Sequence, residues 1–213
     1  MDQDTTVVAL DIHKTSIEVA VLPPGAARPT GRTTIANHRH SVERLYRRVT
    51  RDGQKAVFVY EAGPCGYEAH RQITELGGRC AVIAPSLVPV RPGDRIKTDR
   101  RDAEKLARLY RAGELTEIRV PTRPEEAARD LVRIREDAVE DRLRARHRLS
   151  KFLLRQGRVY EGKAWTLTHR AWLRTQRFDW LPLQQTLEGY LRALDDTEAR
   201  LESLDQQVLD LAQ

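Results

Sequence analysis

Four short apolar runs lie in the first 84 residues and restrict the fold more than any other feature of the sequence. The runs TTVVALDI, IEVAVL, KAVFVY and CAVIA are rich in β-branched residues and are separated by turns that contain Pro or Gly. Residues 41–49 and 67–76, which precede the last two runs, show helical spacing of apolar residues, and a weaker strand is predicted at Thr33–Ala36. This order predicts a strand hairpin followed by alternating helices and strands, which is an α/β sheet domain.

The remainder of the chain is predicted to be mainly helical. Thr98 is a candidate N-cap for a helix over 99–111, and Pro121 and Pro124 indicate a domain boundary. We therefore expect three segments: a sheet domain over 1–122, a basic helical region over 123–182 and a coiled-coil helix over 183–213. The three tryptophans of the middle region could stack on bases, but they are expected mainly to pack that region.

A heptad pattern of apolar residues marks the end of the chain. Leu187, Leu194, Leu201 and Val208 occupy one position of the heptad, and the outer face is acidic. The pattern is typical of a coiled-coil seam, either within one chain or between chains. An ordinary amphipathic helix that packs on its own domain is the alternative.

Positive charge is concentrated in two segments. The chain has 213 residues and a net charge of +6, with eight Lys or Arg against four acids in 91–111, and seven against none in 142–160. A single Arg-rich helix is often only a solvated face, but two such segments favour a polyanionic partner, which means nucleic acid.

Several classes of protein are excluded by the sequence pattern. The longest uncharged apolar stretch, residues 80–90, contains two prolines and is too short for a bilayer. The N-terminus lacks the basic region of a signal peptide, and Cys65 and Cys80 have neither metal-site nor disulfide-framework spacing. We expect a cytoplasmic protein with no membrane partner.

Four carboxylates are candidates for catalysis. Asp11 and Glu61 each end an apolar strand, where ligands bind in open α/β sheets, and Asp99 and Asp102 share the first turn of one helix. Each has an ordinary explanation as a turn residue, a strand-end charge or a partner of the helix dipole. Together, beside basic residues, they form a hypothetical site for Mg²⁺ or Mn²⁺, which prefer oxygen ligands. His13, which has no partner histidine at metal spacing, is expected to face solvent or to support the site.

Three sequence blocks resemble the N-terminal domain of the DEDD-class insertion-sequence transposases. They are VALDIHK at 8–14, VYEAGPCGY at 59–67 and IAPSLVPVRPGDRIKTDRRDAEKLARLYRAGEL at 83–115. The resemblance, which extends to the Piv invertase, implies an RNase H-like (RuvC-like) mixed sheet with flanking helices, followed by a mainly helical coiled-coil region. The acidic tetrad of the family falls on Asp11, Glu61, Asp99 and Asp102, which implies Mg²⁺ (or Mn²⁺) binding and catalysis of DNA strand cleavage and exchange.

The resemblance also implies partners. Members of this class are similar to RNA-guided recombinases, so we expect DNA at element ends and targets, a structured guide RNA, a location at the bacterial nucleoid and a homo-oligomer assembled through the 187–211 heptad. The expected nucleic-acid contacts are Arg95, Lys97, Arg100, Arg101, Arg142, Arg144, Arg146, Arg148, Lys151 and Arg155. The family's further domain with a serine nucleophile has no match in this sequence, so we expect full recombination to need that domain.

Three other functions are compatible with parts of the pattern. A stand-alone RuvC-like junction nuclease would use the four acids alone, and a truncated transposase could act as a non-catalytic nucleic-acid-binding regulator. An actin-like kinase is disfavoured, because Ile12, His13 and Lys14 stand where its phosphate turn needs glycines.

Overall fold

The computed structural model describes residues 4–89 and 99–211, and for residues 99–101 it describes the backbone alone. The chain forms two compact units, Met1–Val120 and Pro121–Gln213. Each unit has its own hydrophobic core.

The first unit is built on a five-stranded mixed sheet. Its strands are β1 (Thr6–Ile12), β2 (Ser16–Leu22), β3 (Gly31–Ala36), β4 (Ala56–Glu61) and β5 (Arg79–Ile83). The spatial order is β3-β2-β1-β4-β5, in which β1, β2 and β3 pair antiparallel while β4 and β5 run parallel to β1. This is the order of an RNase H-like sheet, and it confirms the predicted fold class.

Helices cover both faces of this sheet, which explains why its central strands are almost wholly apolar. The helices are α1 (Arg39–Val49), α2 (Glu68–Glu75) and α3 (Asp99–Ala112). On one face, α1 and α2 pack their apolar sides against β1 residues such as Val8 and Leu10. On the other face, α3 buries its side chains against Val7 and Ala9, so β1 is buried on both sides.

The second unit is a helical hairpin with a short helix packed against it. It contains α4 (Arg123–Arg155), α5 (Leu167–Thr175) and α6 (Leu181–Leu211). The ring of Phe152, near the end of α4, lies 5.5 Å from that of Tyr190, and Arg135 in the first half of α4 pairs with Asp205 in the second half of α6. Helices α4 and α6 therefore run antiparallel. Within the part of the chain that the structure describes, no helix has the length and apolar character needed to cross a membrane.

The leucines of the heptad are buried inside this unit. Leu187 and Leu194 pack with Leu149 and Phe152 of α4, and Leu201 packs with Ala138. The row of heptad leucines therefore forms an apolar seam within one chain. The face that was predicted to join several copies is covered by α4 of the same chain.

An acidic residue of α6 forms ion pairs with arginines of both α4 and α5. Glu198, whose side chain is 15% exposed, accepts a hydrogen bond from Arg146 at 2.9 Å and another from Arg170. The Arg146 guanidinium also lies 4.9 Å from the centre of the Trp165 ring. Glu198 thus holds α4 and α5 together through two cations.

His169 forms the centre of an aromatic cluster in this unit. Its ring packs against those of Tyr160 and Trp172, at 4.7 and 5.7 Å between centroids, and its Nδ1 accepts a hydrogen bond from the backbone N–H of Trp165 at 2.9 Å. Burial lowers the pKa of His169, because the charged imidazolium is poorly solvated there.

The second unit is expected to lose stability as the pH falls below about 6.5, the ordinary pKa of histidine. Below that value the histidine of the unfolded state binds a proton, whereas His169 in the folded state stays neutral. The free energy of unfolding therefore decreases as the pH falls, until the folded imidazole is also protonated. Urea unfolding followed by tryptophan fluorescence at pH 7.5 and 5.5 measures this decrease. We expect it to be smaller in His169→Gln and unchanged in His147→Gln, which alters an exposed histidine of α4. An equal decrease in the wild type and His169→Gln would contradict the prediction.

Candidate active site

Asp11 and Glu61 lie next to each other in register at the carboxyl ends of two parallel strands. Leu10 of β1 pairs with Tyr60 of β4, and the two carboxylates are the residues that follow in each strand. Asp11 is half-buried and Glu61 is exposed. The sheet therefore presents two neighbouring carboxylates at the edge where open α/β sheets bind ligands.

The alternation of side chains places both carboxylates on the face that α3 covers. Asp11 shares its face of β1 with Val7 and Ala9, and Glu61 shares its face of β4 with Val57 and Val59. All four apolar residues pack with α3.

Arg111 fixes the direction of α3 along this face. Its guanidinium donates hydrogen bonds to the carbonyls of Thr5 at 3.1 Å and Leu22 at 2.8 Å, which are at the opposite edge of the sheet. From Arg111 back to Asp99 the helix spans about 18 Å, and from Thr5 to Asp11 the strand spans about 20 Å. The first turn of α3 thus lies over the sheet edge that carries Asp11 and Glu61. We call this edge, with that turn, the carboxylate edge.

The four candidate acids are described to different extents. Asp102 is half-buried in the first turn of α3. Asp99 begins the helix, but its side chain is outside the described part of the structure. Among the side chains that are described, no group of three or more His, Cys, Asp or Glu is close enough together to hold a metal ion.

The turn after β4 fixes the position of Glu61. Ala62 donates its N–H to the carbonyl of Ile83 at 2.8 Å, and the Tyr60 hydroxyl donates to the carbonyl of Gly66 at 3.3 Å. The Cys65 thiol donates to the carbonyl of Ile12 at 3.5 Å, so the turn contacts the end of β1. Gly66 has φ of 65°, a left-handed conformation that glycine adopts without strain.

The turn between β1 and β2 is held beside Asp11. His13 donates its N–H to the carbonyl of Ser16, and Asn37 donates its side-chain amide to the carbonyl of His13, each at 2.8 Å. The Nε2 atom of His13 lies 3.3 Å from Oδ2 of Asp11. His13 therefore contacts the Asp11 carboxylate.

The basic residues divide into three groups. Arg95 and Lys97 lie outside the described residues, and Arg100 and Arg101 are described only as backbone of α3. Arg144 pairs with Glu140 and Asp141 on its own helix, and Arg146 is held by Glu198.

The third group forms an exposed basic face on α4. Arg148, Lys151 and Arg155 are spaced by three and four residues, so they share one side of the helix, and all three are exposed. Within the described part of the chain none of the three forms an ion pair. Arg142, nearly two helical turns before Arg148, is half-buried and also forms none there.

Residues 8–156 match the family model of the IS110-type DEDD transposases. The chain belongs to this transposase family. The match covers β1, β4 and α3, which carry the four candidate acids.

Two curated relatives and one solved structure are similar to this transposase. The transposase for insertion sequence element IS1533 of Leptospira borgpetersenii is 32% identical over 209 residues, which are 97% of this chain and 60% of that protein. The protein y4qE of Sinorhizobium fredii (strain NBRC 101917 / NGR234), named as a transposase, is 44% identical over 176 residues, which are 81% of this chain and 45% of y4qE. The chain thus spans about half the length of these relatives. The structure of T. thermophilus RuvC in complex with a Holliday junction substrate has a TM-score of 0.36 and 13% identity, and covers 54% of this chain and 99% of that chain.

Glu18 is an additional carboxylate of the transposase that the sequence pattern does not single out. It pairs with Asp11 across β1 and β2 and lies on the same face of the sheet, where its carboxylate accepts a hydrogen bond from the Thr34 hydroxyl at 2.6 Å. The sequence could have indicated this position, because Glu18 has the same two-residue spacing as Ala20 and Leu22 and so lies on their face of a strand that is predicted to pair with β1.

Proposed function

We propose that this transposase cleaves and exchanges DNA strands at the carboxylate edge, and that nucleic acid binds along the exposed basic face of α4. The observation that carries the proposal is the position of Asp11 and Glu61 on neighbouring strand ends, under the first turn of α3, in a chain of the DEDD transposase family. The activity of a whole transposase, including its DNA substrates, forms part of this proposal.

The chemistry of the side chains at the carboxylate edge fits Mg²⁺ or Mn²⁺. Asp11, Glu61, Asp99 and Asp102 offer only oxygen atoms, which these cations prefer. When bound, such a metal neutralises charge on a phosphodiester and activates the attacking oxygen. The residues of this chain orient the site, since the turn after β4 fixes Glu61 and Arg111 anchors α3.

A structured RNA is part of the proposal as a second nucleic-acid partner. The exposed side chains of Arg148, Lys151 and Arg155 attract the phosphates of either RNA or DNA. We also propose that the protein assembles as a homo-oligomer. Such an assembly would use surfaces of α6 other than the leucine stripe, because that stripe is buried against α4.

Binding across a salt series tests the role of the basic face. We expect the triple variant Arg148→Gln, Lys151→Gln, Arg155→Gln to bind duplex DNA more weakly and to lower the slope of log affinity against log salt by about 2–3, since each lost phosphate contact removes about 0.9. A matched triple variant removes Arg133, Arg144 and Arg174, each of which pairs with a neighbouring acid. We expect a smaller loss there, and equal losses in the two variants would refute the assignment of this face.

The same assay with three probes tests guidance by RNA. The probes are RNA from the non-coding segment that flanks the element, a scrambled RNA and duplex DNA of the element end. Binding that prefers the flanking RNA at moderate salt supports guidance. Equal, salt-sensitive binding of all three probes contradicts guidance and leaves a general polyanion surface.

A further inference from the structure

Trp180 is exposed, whereas the other two tryptophans pack inside the second unit. Trp165 and Trp172 contact the helical core, but 76% of Trp180 is exposed. Its backbone is nevertheless fixed at the start of α6, because its carbonyl accepts hydrogen bonds from the N–H groups of Leu183 and Gln184 at 2.9 and 3.1 Å. The chain therefore presents an exposed indole on a well-anchored backbone.

The indole lies at the end of the helical hairpin where cations are concentrated. We call residues 154–159 and 177–183 the hairpin tip, because α4 ends there and α6 begins there. The Arg158 guanidinium lies 5.7 Å from the ring centre of Phe178, and that ring packs edge-on against Phe152 at 5.5 Å. Arg177 follows α5 and donates to the carbonyls of Arg174 and Gln176.

Charge indicates which kind of partner the hairpin tip accepts. It carries Arg155, Arg158 and Arg177 against one acid, Asp179. A second copy docked tip to tip would place these arginines against one another, which costs free energy. A polyanion is instead attracted to them.

An exposed aromatic ring on a segment that also carries arginines favours unpaired bases over a duplex. Every base offers a flat face that can stack on an indole, whereas the bases of an intact duplex are already stacked on each other. Leu154 and Leu181, which also belong to the hairpin tip, have exposed apolar side chains, at 55% and 67%.

We propose that the hairpin tip binds single-stranded nucleic acid, with Trp180 stacking on an unpaired base. The inference rests on the proposed binding of nucleic acid by the second unit, and it adds a role that the basic face does not require. It assigns the arginines of the tip to the phosphates and the indole to the bases.

The test compares Trp180→Ala with Trp180→Phe in the full 213-residue chain. The probes are a 20-nucleotide oligothymidine and a 20-base-pair blunt duplex, measured by fluorescence anisotropy at fixed salt. We expect Trp180→Ala to lose about tenfold in affinity for the single strand and to change duplex affinity less than twofold. Trp180→Phe, which keeps an aromatic ring, should retain most of the affinity. Leu209→Ala, an exposed apolar residue near the other end of α6, is the matched control and should bind like the wild type.

Three results would overturn the proposal. Single-strand affinity of Trp180→Ala equal to the wild type would mean that the indole does not stack on bases. Equal losses for single strand and duplex would assign Trp180 to general binding. A change of oligomeric state in Trp180→Ala, measured by light scattering, would assign the tip to contact between copies. If the wild type binds neither probe, the proposed binding of nucleic acid by the second unit also fails. The three results above concern only Trp180→Ala, so they contradict the role of the hairpin tip without contradicting that wider proposal.

Discussion

Replacing Asp11 by Asn is expected to weaken the binding of Mn²⁺ to this chain by about 100-fold. Loss of a group that only supports a metal ligand already weakens metal binding by about 10- to 100-fold, and Asp11 is proposed to bind the metal directly. The substitution keeps the shape of the side chain and removes its negative charge. Because Asp11 lies beside Glu61 at the carboxylate edge, the loss removes a charged oxygen where the proposed metal would bind. Calorimetric titration with Mn²⁺, or its electron paramagnetic resonance signal, measures the affinity without any need for catalysis.

Asp52→Asn is the matched control for this substitution. Asp52 is exposed in the turn before β4, at the opposite edge of the sheet, and has φ of 59°, a conformation that Asn also tolerates. This variant loses the same charge and should bind Mn²⁺ like the wild type. Equal affinity in Asp11→Asn and the wild type would show that the carboxylate edge is not the metal site.

The central strands β1 and β4 were predictable because burial on both faces leaves a simple pattern. The run KAVFVY became β4, and the charge that ends it, Glu61, marked the carboxyl end of the strand. Helix α3 was likewise predictable from its apolar spacing. Its direction across the sheet was not, because that depends on hydrogen bonds from Arg111 to carbonyls as far as 106 residues away in the chain.

Long-range pairing also explains what the sequence pattern missed. Arg146 lies in a run of basic residues and was predicted to contact nucleic acid, and the structure adds that its guanidinium donates to Glu198, which is 52 residues further on. The leucine heptad predicted an apolar seam correctly, but a periodic pattern alone does not identify the helix that covers it. Two of the three tryptophans pack as expected, and Trp180 does not.

Replacing Arg111 by Met is expected to destabilise the contact between α3 and the sheet by about 3 kcal/mol, about 1 for each of three acceptor residues. The guanidinium of Arg111 donates to the carbonyls of Thr5, Leu22 and Pro23, and Met keeps the length of the side chain but offers no donor. Hydrogen exchange of the amides of β1 and β2 measures the effect. Tryptophan fluorescence would not report on this unit, because all three tryptophans lie in the second unit. Exchange of the slowest amides should become about 100-fold faster.

Arg108→Met separates this anchoring from a general loss of positive charge. Arg108 is exposed on the same helix, so its replacement should change stability by less than about 0.5 kcal/mol. Mn²⁺ affinity provides a second measurement, because a displaced first turn of α3 would move Asp99 and Asp102 away from Asp11. We expect Mn²⁺ to bind more weakly to Arg111→Met than to Arg108→Met. Equal exchange rates in the two variants would mean that Arg111 does not anchor α3. Faster exchange with unchanged Mn²⁺ affinity would mean instead that the first turn of α3 takes no part in holding the metal.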